Sequence, residues 1–130
     1  MSEELQVQRT DDCEEMAATW QCLEIARLND VLKASGLANK QLRQEICTRY
    51  FLDSGHFLDA GWFECEGRRV YPEICSAERQ TPDANENLGR IHTLHLPSDA
   101  FAFHEYAHGD IGWYFEEHGE DASSIATGSL

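Results

Sequence analysis

The chain has 130 residues, of which 42% are hydrophobic, and a formal net charge of -14 at pH 7. This length predicts a single domain spanning 1–130, and the apolar fraction supports one core, which excludes general disorder. An acidic chain repels phosphates and anionic lipids, so we expect neither a nucleic acid nor a membrane as partner. No signal peptide or membrane-length apolar run is evident, which predicts a cytoplasmic protein with reduced thiols.

Two helices are predicted in the N-terminal third. After a polar tail at 1–10, expected to be disordered, apolar residues recur at helical spacing from about Asp12 to Ala34. Gly36 can take the left-handed conformation that ends a helix. Asn39 is a good N-cap for a second helix running to about Leu52. The short connection predicts an antiparallel helical hairpin.

A near-repeat follows, FLDSG at 51–55 and FLDAG at 57–61. Its Asp and Gly residues are typical of two successive chain reversals. The alternative is an acidic site built from Asp53, His56 and Asp59. There is no third copy, which excludes a solenoid repeat.

From Gly61 the apolar periodicity changes to two, which predicts strands. Two such runs flank Glu66 and Gly67, which reads as a hairpin turn, and Pro72 places the second strand at a sheet edge.

A polar surface loop at 77–90 separates this hairpin from a strand predicted at 91–96. His92 and His95 lie on opposite faces of that strand, so we do not expect them to share a metal ion. The small polar residues of 119–130 predict a second disordered tail.

None of the five cysteines forms a C-x-x-C pair. Cys13, Cys22 and Cys47 fall in helical patterns, where a free cysteine behaves as a small buried apolar residue. Cys65 lies between two glutamates, the opposite of the electropositive surroundings that a redox thiol requires. A catalytic pair of one cysteine and one histidine is conceivable, but no residue order singles out a pair.

The aromatic stretch 101–118 contains the one sharp chemical motif, His104-Glu105-Tyr106-Ala107-His108, a match to H-E-x-x-H. On a helix the two histidines face the same way as candidate zinc ligands, and Glu105 is the candidate base that activates a zinc-bound water. Ser98 and Asp99 can begin such a helix near 98–108.

The competing interpretation of this stretch is a strand, because 100–103 alternates apolar residues and 111–115 is again apolar. On a strand, His104 and His108 would lie about 13 Å apart, too far for one ion. A third zinc ligand is not evident, since Tyr114 stands where the longer H-E-x-x-H-x-x-G-x-x-H pattern has its third histidine. If there is no zinc site, the aromatic residues of 101–118 are expected to form core.

Helices followed by strands predict an α+β fold. The two-helix hairpin should pack on an antiparallel sheet made from 61–76, 90–96 and part of 101–117, with a short third helix near 98–108 as the other interpretation of the last segment.

The expected function is a non-enzymatic protein-interaction module that needs no cofactor. Its acidic C-terminal third, 91–130, holds seven acids and no Lys or Arg, which suits a basic protein partner. The aromatic density also favours a homodimer. The alternative is a small zinc hydrolase with His104 and His108 as ligands and Glu105 as base, and a small-molecule pocket between helices and sheet is a third.

Overall fold

The computed structural model describes residues 4–9, 11–79, 90–98 and 101–128. Over these residues it has three α-helices and five short strands, so the predicted α+β class is confirmed. The helices are α1 (Asp11–Ala34), α2 (Lys40–Ala60) and α3 (Phe103–Gly112), and a π-helical turn (Trp113–Glu117) continues α3. The strands are β1 (Gln6–Gln8), β2 (Phe63–Cys65), β3 (Arg68–Val70), β4 (Ser76–Arg79) and β5 (Ile91–His95).

The chain divides into two compact units. The first comprises Met1–Ala17, Glu73–Phe101 and Thr127–Leu130, and the second comprises Ala18–Pro72 and Ala102–Ala126. The single domain expected for 1–130 stays a prediction. No helix among the described residues combines the length and the apolar character that a membrane span needs.

The first unit contains a three-stranded sheet in the order β1-β5-β4. β4 pairs with β5 in antiparallel fashion, as expected for a hairpin-rich chain, but β1 pairs with β5 in parallel. The prediction of a purely antiparallel sheet is therefore wrong. The parallel strand comes from the segment expected to be a disordered tail, where three exposed residues carry too little apolar pattern to reveal it.

Several predicted segments lie wholly or partly outside the described residues. Of the loop expected at 77–90, residues 80–89 lie outside, and the residues before them belong to β4. Asp99 and the outermost residues of both expected tails also lie outside.

In the second unit, β2 and β3 form the predicted hairpin. Its turn residues Glu66 and Gly67 both have positive φ, 51° and 76°, the conformation of a type I′ turn that matches the strand twist. This hairpin is a sheet of its own rather than part of the sheet that holds β5.

The segment 101–117 contributes no strand, which corrects the predicted sheet. Phe103, Ala107 and Ile111 are buried at intervals of four residues, and Tyr114 and Phe115 continue the same buried face. This helical period extends over three turns, whereas the alternation at 100–103 covers only four residues, so the helix prevails.

The helix boundaries combine confirmed and corrected predictions. Asn39 caps α2 as predicted, its side chain accepting from the backbone N–H of Leu42 at 3.0 Å, and Gly36 has the left-handed φ of 94°. However, α2 continues to Ala60, so the chain reversals predicted in the near-repeat are wrong. The helix ends only at Gly61, whose N–H donates to the carbonyl of Phe57.

The core of the second unit joins all its helical elements. It consists of seven buried residues, Ile25, Cys47, Phe51, Ala107, Ile111, Tyr114 and Phe115. Cys47 lies inside it, and Cys13 and Cys22 are also buried, so the expectation of buried helical cysteines is confirmed.

A buried polar network lies beside this core. The guanidinium of Arg43, only 5% exposed, donates to the side chains of Asn29 at 2.9 Å and Glu120 at 2.7 Å and to the carbonyl of Leu37 at 2.9 Å. Asn29 also donates to the hydroxyl of Tyr114. The network thus ties α1, α2 and the residues after the π-helical turn together, including part of the segment expected to be a tail.

Gly55 tests how closely α2 and α3 pack. A Cβ at this position would lie 2.7 Å from the backbone nitrogen of His104 and 2.8 Å from its Cα. We expect Gly55→Ala to lower the free energy of unfolding by about 1–3 kcal/mol in urea denaturation. Gly109→Ala, where no atom lies within 4 Å of the added Cβ, is the matched control and should raise it by about 0.5–1 kcal/mol. Equal effects would contradict the close approach.

Glu120 should make the free energy of unfolding depend on pH in the acid range. Its hydrogen bond from Arg43, helped by Asn29 and Lys33, lowers the pKa of Glu120 from 4.5 to about 2. A lowered pKa gives stability that is complete above the unfolded value and is lost as the pH falls from 4.5 toward about 2. We expect Glu120→Gln to flatten that part of the pH profile of the free energy of unfolding. Glu45→Gln, in an exposed pair with Arg49, is the control, and an equal flattening there would contradict the assignment.

Candidate functional site

The H-E-x-x-H segment is helical, since it lies in α3. His104 and His108 are one turn apart and therefore share a helix face. Glu105 and His108 are exposed, and His104 is partly buried. The helical interpretation of this motif is thus confirmed, and the strand interpretation is wrong.

Asp59, near the end of α2, holds the start of α3. Its carboxylate accepts from the backbone N–H groups of Phe103 at 2.7 Å and His104 at 3.0 Å. It therefore supplies the cap that was predicted from local residues. Ser98, one of those residues, instead donates to the carboxylate of Glu14.

The same carboxylate also orients the His104 ring. Oδ2 of Asp59 lies 2.5 Å from Nδ1 of His104, and the ring of His56 stacks on the His104 ring with centroids 4.2 Å apart. Two members of the predicted acidic site, His56 and Asp59, are therefore brought to His104, while Asp53 is exposed on α2. A histidine held through Nδ1 directs Nε2 outward, as metal-ligating histidines do.

No third metal ligand accompanies the two histidines of α3 in the described part of the chain. There, no group of three or more His, Cys, Asp or Glu side chains is arranged to hold a metal ion. His56 does not complete the site, because its ring lies only 19° from parallel with that of His104 and stacked rings aim their in-plane nitrogens past one another. The predicted zinc ligands His104 and His108 and the base Glu105 stay a prediction.

A second feature is a set of exposed aromatic residues on both faces of one hairpin and at the helix end before it, which we call the hairpin aromatic surface. It consists of Phe57 at the end of α2 and Trp62, Phe63 and Tyr71 in and beside the β2–β3 hairpin, each 43–59% exposed. The guanidinium carbon of Arg69 lies 3.9 Å from the centre of the Trp62 ring and holds that ring in place. Most aromatic residues of 101–118 are buried. The exposed aromatic residues therefore lie largely outside the aromatic-rich stretch of the sequence.

The acidic C-terminal third is partly used inside the fold. Glu120 belongs to the Arg43 network, and burial raises the pKa of Asp110 to about 6, with the thiol of Cys22 as its hydrogen-bond partner. The acids of this third that are described and exposed are Glu105, Glu116, Glu117 and Asp121. The predicted negative surface therefore contains fewer acids than the seven that the sequence of 91–130 holds.

A third feature was missed by sequence reasoning, a contact chain of Cys13, His95 and Glu78 in the first unit. Sγ of Cys13 lies 3.6 Å from Nδ1 of His95, and Nε2 of His95 lies 2.5 Å from Oε1 of Glu78. Cys13 and His95 are 82 residues apart, and no motif links them. The only sequence signals were a cysteine in the first turn of a helix and a histidine on a predicted strand.

No protein-family model matches this chain, and comparisons with curated proteins and with solved structures find no match.

Proposed function

We propose that this protein is a protein-interaction module that binds a basic protein partner through the hairpin aromatic surface. The observation that carries the proposal is the exposure of four large aromatic side chains on the end of α2 and one small hairpin. Aromatic residues are enriched where protein interfaces are buried, because a large rigid ring contributes area at a low cost in conformational entropy.

The charges of the second unit favour a cationic partner. Its residues 18–72 and 102–126 hold thirteen acids and seven bases, so the unit is net negative although the hairpin itself carries Arg68 and Arg69. Exposed acids flank the aromatic residues, among them Glu64 and Asp53. Complementary charge mainly accelerates association and selects the partner, while the aromatic contacts supply affinity.

The net charge also bears on the expected homodimer. Two copies with a charge of -14 each repel one another at low ionic strength. A basic partner gains from the same field, so hetero-association is favoured over self-association.

The proposal is tested by selecting peptides from a random display library against the full chain. We expect the selected peptides to be cationic and to bind more weakly as salt rises. Phe63→Ser should weaken the best peptide by about 10-fold or more, because it removes an aromatic anchor. Affinities are measured by isothermal titration calorimetry at low and high salt.

Leu5→Ser, an equally exposed apolar residue in the first unit, is the matched control and should leave peptide affinity unchanged. Selected peptides that are uncharged, or that lose no affinity with Phe63→Ser, would refute the proposal. Light scattering of the free chain shows independently whether the chain forms a homodimer.

The second candidate is the zinc hydrolase, which the contact between Asp59 and His104 specifically favours. Under this proposal His104 and His108 would hold Zn²⁺, which would supply an activated water, and Glu105 would be the general base. Asp59 acts behind His104 by fixing its tautomer.

Zinc binding is measured by titration of untagged protein purified without chelator. We expect one zinc per chain, lost in His108→Ala, and about 10–100-fold weaker binding in Asp59→Asn. His92→Ala, on β5, is the control and should bind like the natural chain. Absence of zinc binding by the folded protein would remove this candidate.

A further inference from the structure

The contacts of Cys13, His95 and Glu78 have the order of a nucleophile, a base and an orienting acid. The thiol meets one imidazole nitrogen at 3.6 Å and the carboxylate meets the other at 2.5 Å. The two nitrogens of an imidazole point in divergent directions, so this arrangement does not bring sulfur and carboxylate to one metal ion. It does allow a proton to pass between the sulfur and a ring whose other nitrogen is held.

The sheet register brings the base and the acid together. Glu78 on β4 lies opposite Thr93 on β5, and His95 follows two residues later on the same face. Such diagonal cross-strand neighbours are within reach of each other when the side chains are long. The contact therefore follows from the pairing of two strands, beside a register shift between Glu78 and Arg79.

The helix position favours the reactive form of the thiol. Cys13 is the third residue of α1, so it lies in the first helical turn. The N–H groups of that turn carry partial positive charge, which stabilises a thiolate, whereas the adjacent Asp12 and Glu14 oppose it, so activation of the sulfur rests on its contact with His95. In contrast, burial raises the pKa of Cys22 to about 12 and that of Cys47 to about 11, which keeps those two thiols protonated.

The surrounding charges support a charged ring at His95. The hydrogen bond with Cys13 is the largest influence that raises the pKa of His95, Glu78 adds to it, and burial opposes both. Two other ionisable residues of this unit, Arg9 and Glu14, have polar partners elsewhere. Arg9 pairs with Glu73, and Glu14 accepts from Ser98.

We infer that Cys13 is a catalytic nucleophile that takes the acyl group of a small, uncharged ester or thioester, with His95 as general base and acid and Glu78 as a positioning residue. The size limit follows from the burial of the site, since Cys13 is 1% exposed and His95 7% exposed. The charge limit follows from the acid-rich N-terminal segment, where residues 1–15 hold six acids and one base and repel anions.

The reaction balances with water as the only co-substrate. The Cys13 thiolate attacks the acyl carbon and forms a C–S bond, the C–O or C–S bond of the substrate breaks, and the leaving group takes the proton from Nδ1 of His95. Water then attacks the acyl-cysteine while His95 accepts one of its protons. The C–S bond breaks, the acid leaves, and the thiolate and imidazolium are restored.

Access to the sulfur is through the N-terminal strand. The carbonyl of Gln8, the last residue of β1, accepts from Cys13 at 3.5 Å and covers the thiol. All three side chains of β1 are exposed, so this strand adds little buried apolar area. Strands of this kind open locally at a lower free energy than the whole domain unfolds.

The experiment uses the full chain carrying Cys65→Ser and Cys75→Ser, which removes the two exposed thiols. The probe is p-nitrophenyl acetate, a small uncharged ester. We expect a burst of one nitrophenolate per chain, with one acetyl group on Cys13 by peptide mass spectrometry. His95→Asn should slow acetylation about 100-fold or more. Glu78→Gln should slow it less and move its pH profile.

His92→Asn, on the same strand but with its ring against Thr93 rather than Cys13 or Glu78, is the matched control and should keep the natural rate. Cys13→Ala removes only the sulfur and should abolish the burst. Circular dichroism confirms that each variant is folded. The inference is overturned if Cys13 of the folded parent stays unmodified, or if His95→Asn and His92→Asn react at the same rate.

Discussion

Arg43 imposes the constraint on which the second unit depends. A guanidinium cannot lose its proton and is costly to bury, so every element near it must supply an acceptor. The side chains of Asn29 and Glu120 and the carbonyl of Leu37 do so. Two helices and the residues after the π-helical turn are thereby fixed in one arrangement.

Asp59 exerts a smaller constraint of the same kind. One carboxylate caps α3 and orients the ring of His104, so the start of the helix and the chemistry of its first histidine are set together. The close approach of α3 to Gly55 leaves no room for a side chain between the helices. The near-repeat therefore contributes the capping residue Asp59 and the close-packed Gly55, not the turns that its composition suggests.

The side chains of this chain that are singled out for stability, binding or reactivity lie in three different surroundings. The buried Arg43 is hydrogen-bonded to Asn29, Leu37 and Glu120 and stabilises the fold. The exposed aromatic side chains of the hairpin form the surface that we propose for a partner. In the first unit, a thiol and an imidazole are held in contact at the start of a helix, where their chemistry differs from that of the inert thiols of Cys22 and Cys47.

Local pattern was sufficient for several features of the fold. The cap at Asn39, the turn at Glu66 and Gly67 and the strand at 91–96 depend on neighbouring residues, and each appears where the sequence predicts it. The α+β class follows from the same patterns. The extent of α2 was missed because Gly55 is read as a breaker unless the approach of α3 is known.

For the candidate sites, the sequence could name H-E-x-x-H but could not decide between helix and strand, since the deciding burial extends to Phe115 and comes from packing. Nor could it pair His104 with Asp59 or Cys13 with His95, which lie 45 and 82 residues apart. The sequence by itself determined the local elements, the charge and the residue types available for chemistry. Only the tertiary structure decided which of these side chains meet, because contacts between distant residues depend on how whole elements pack.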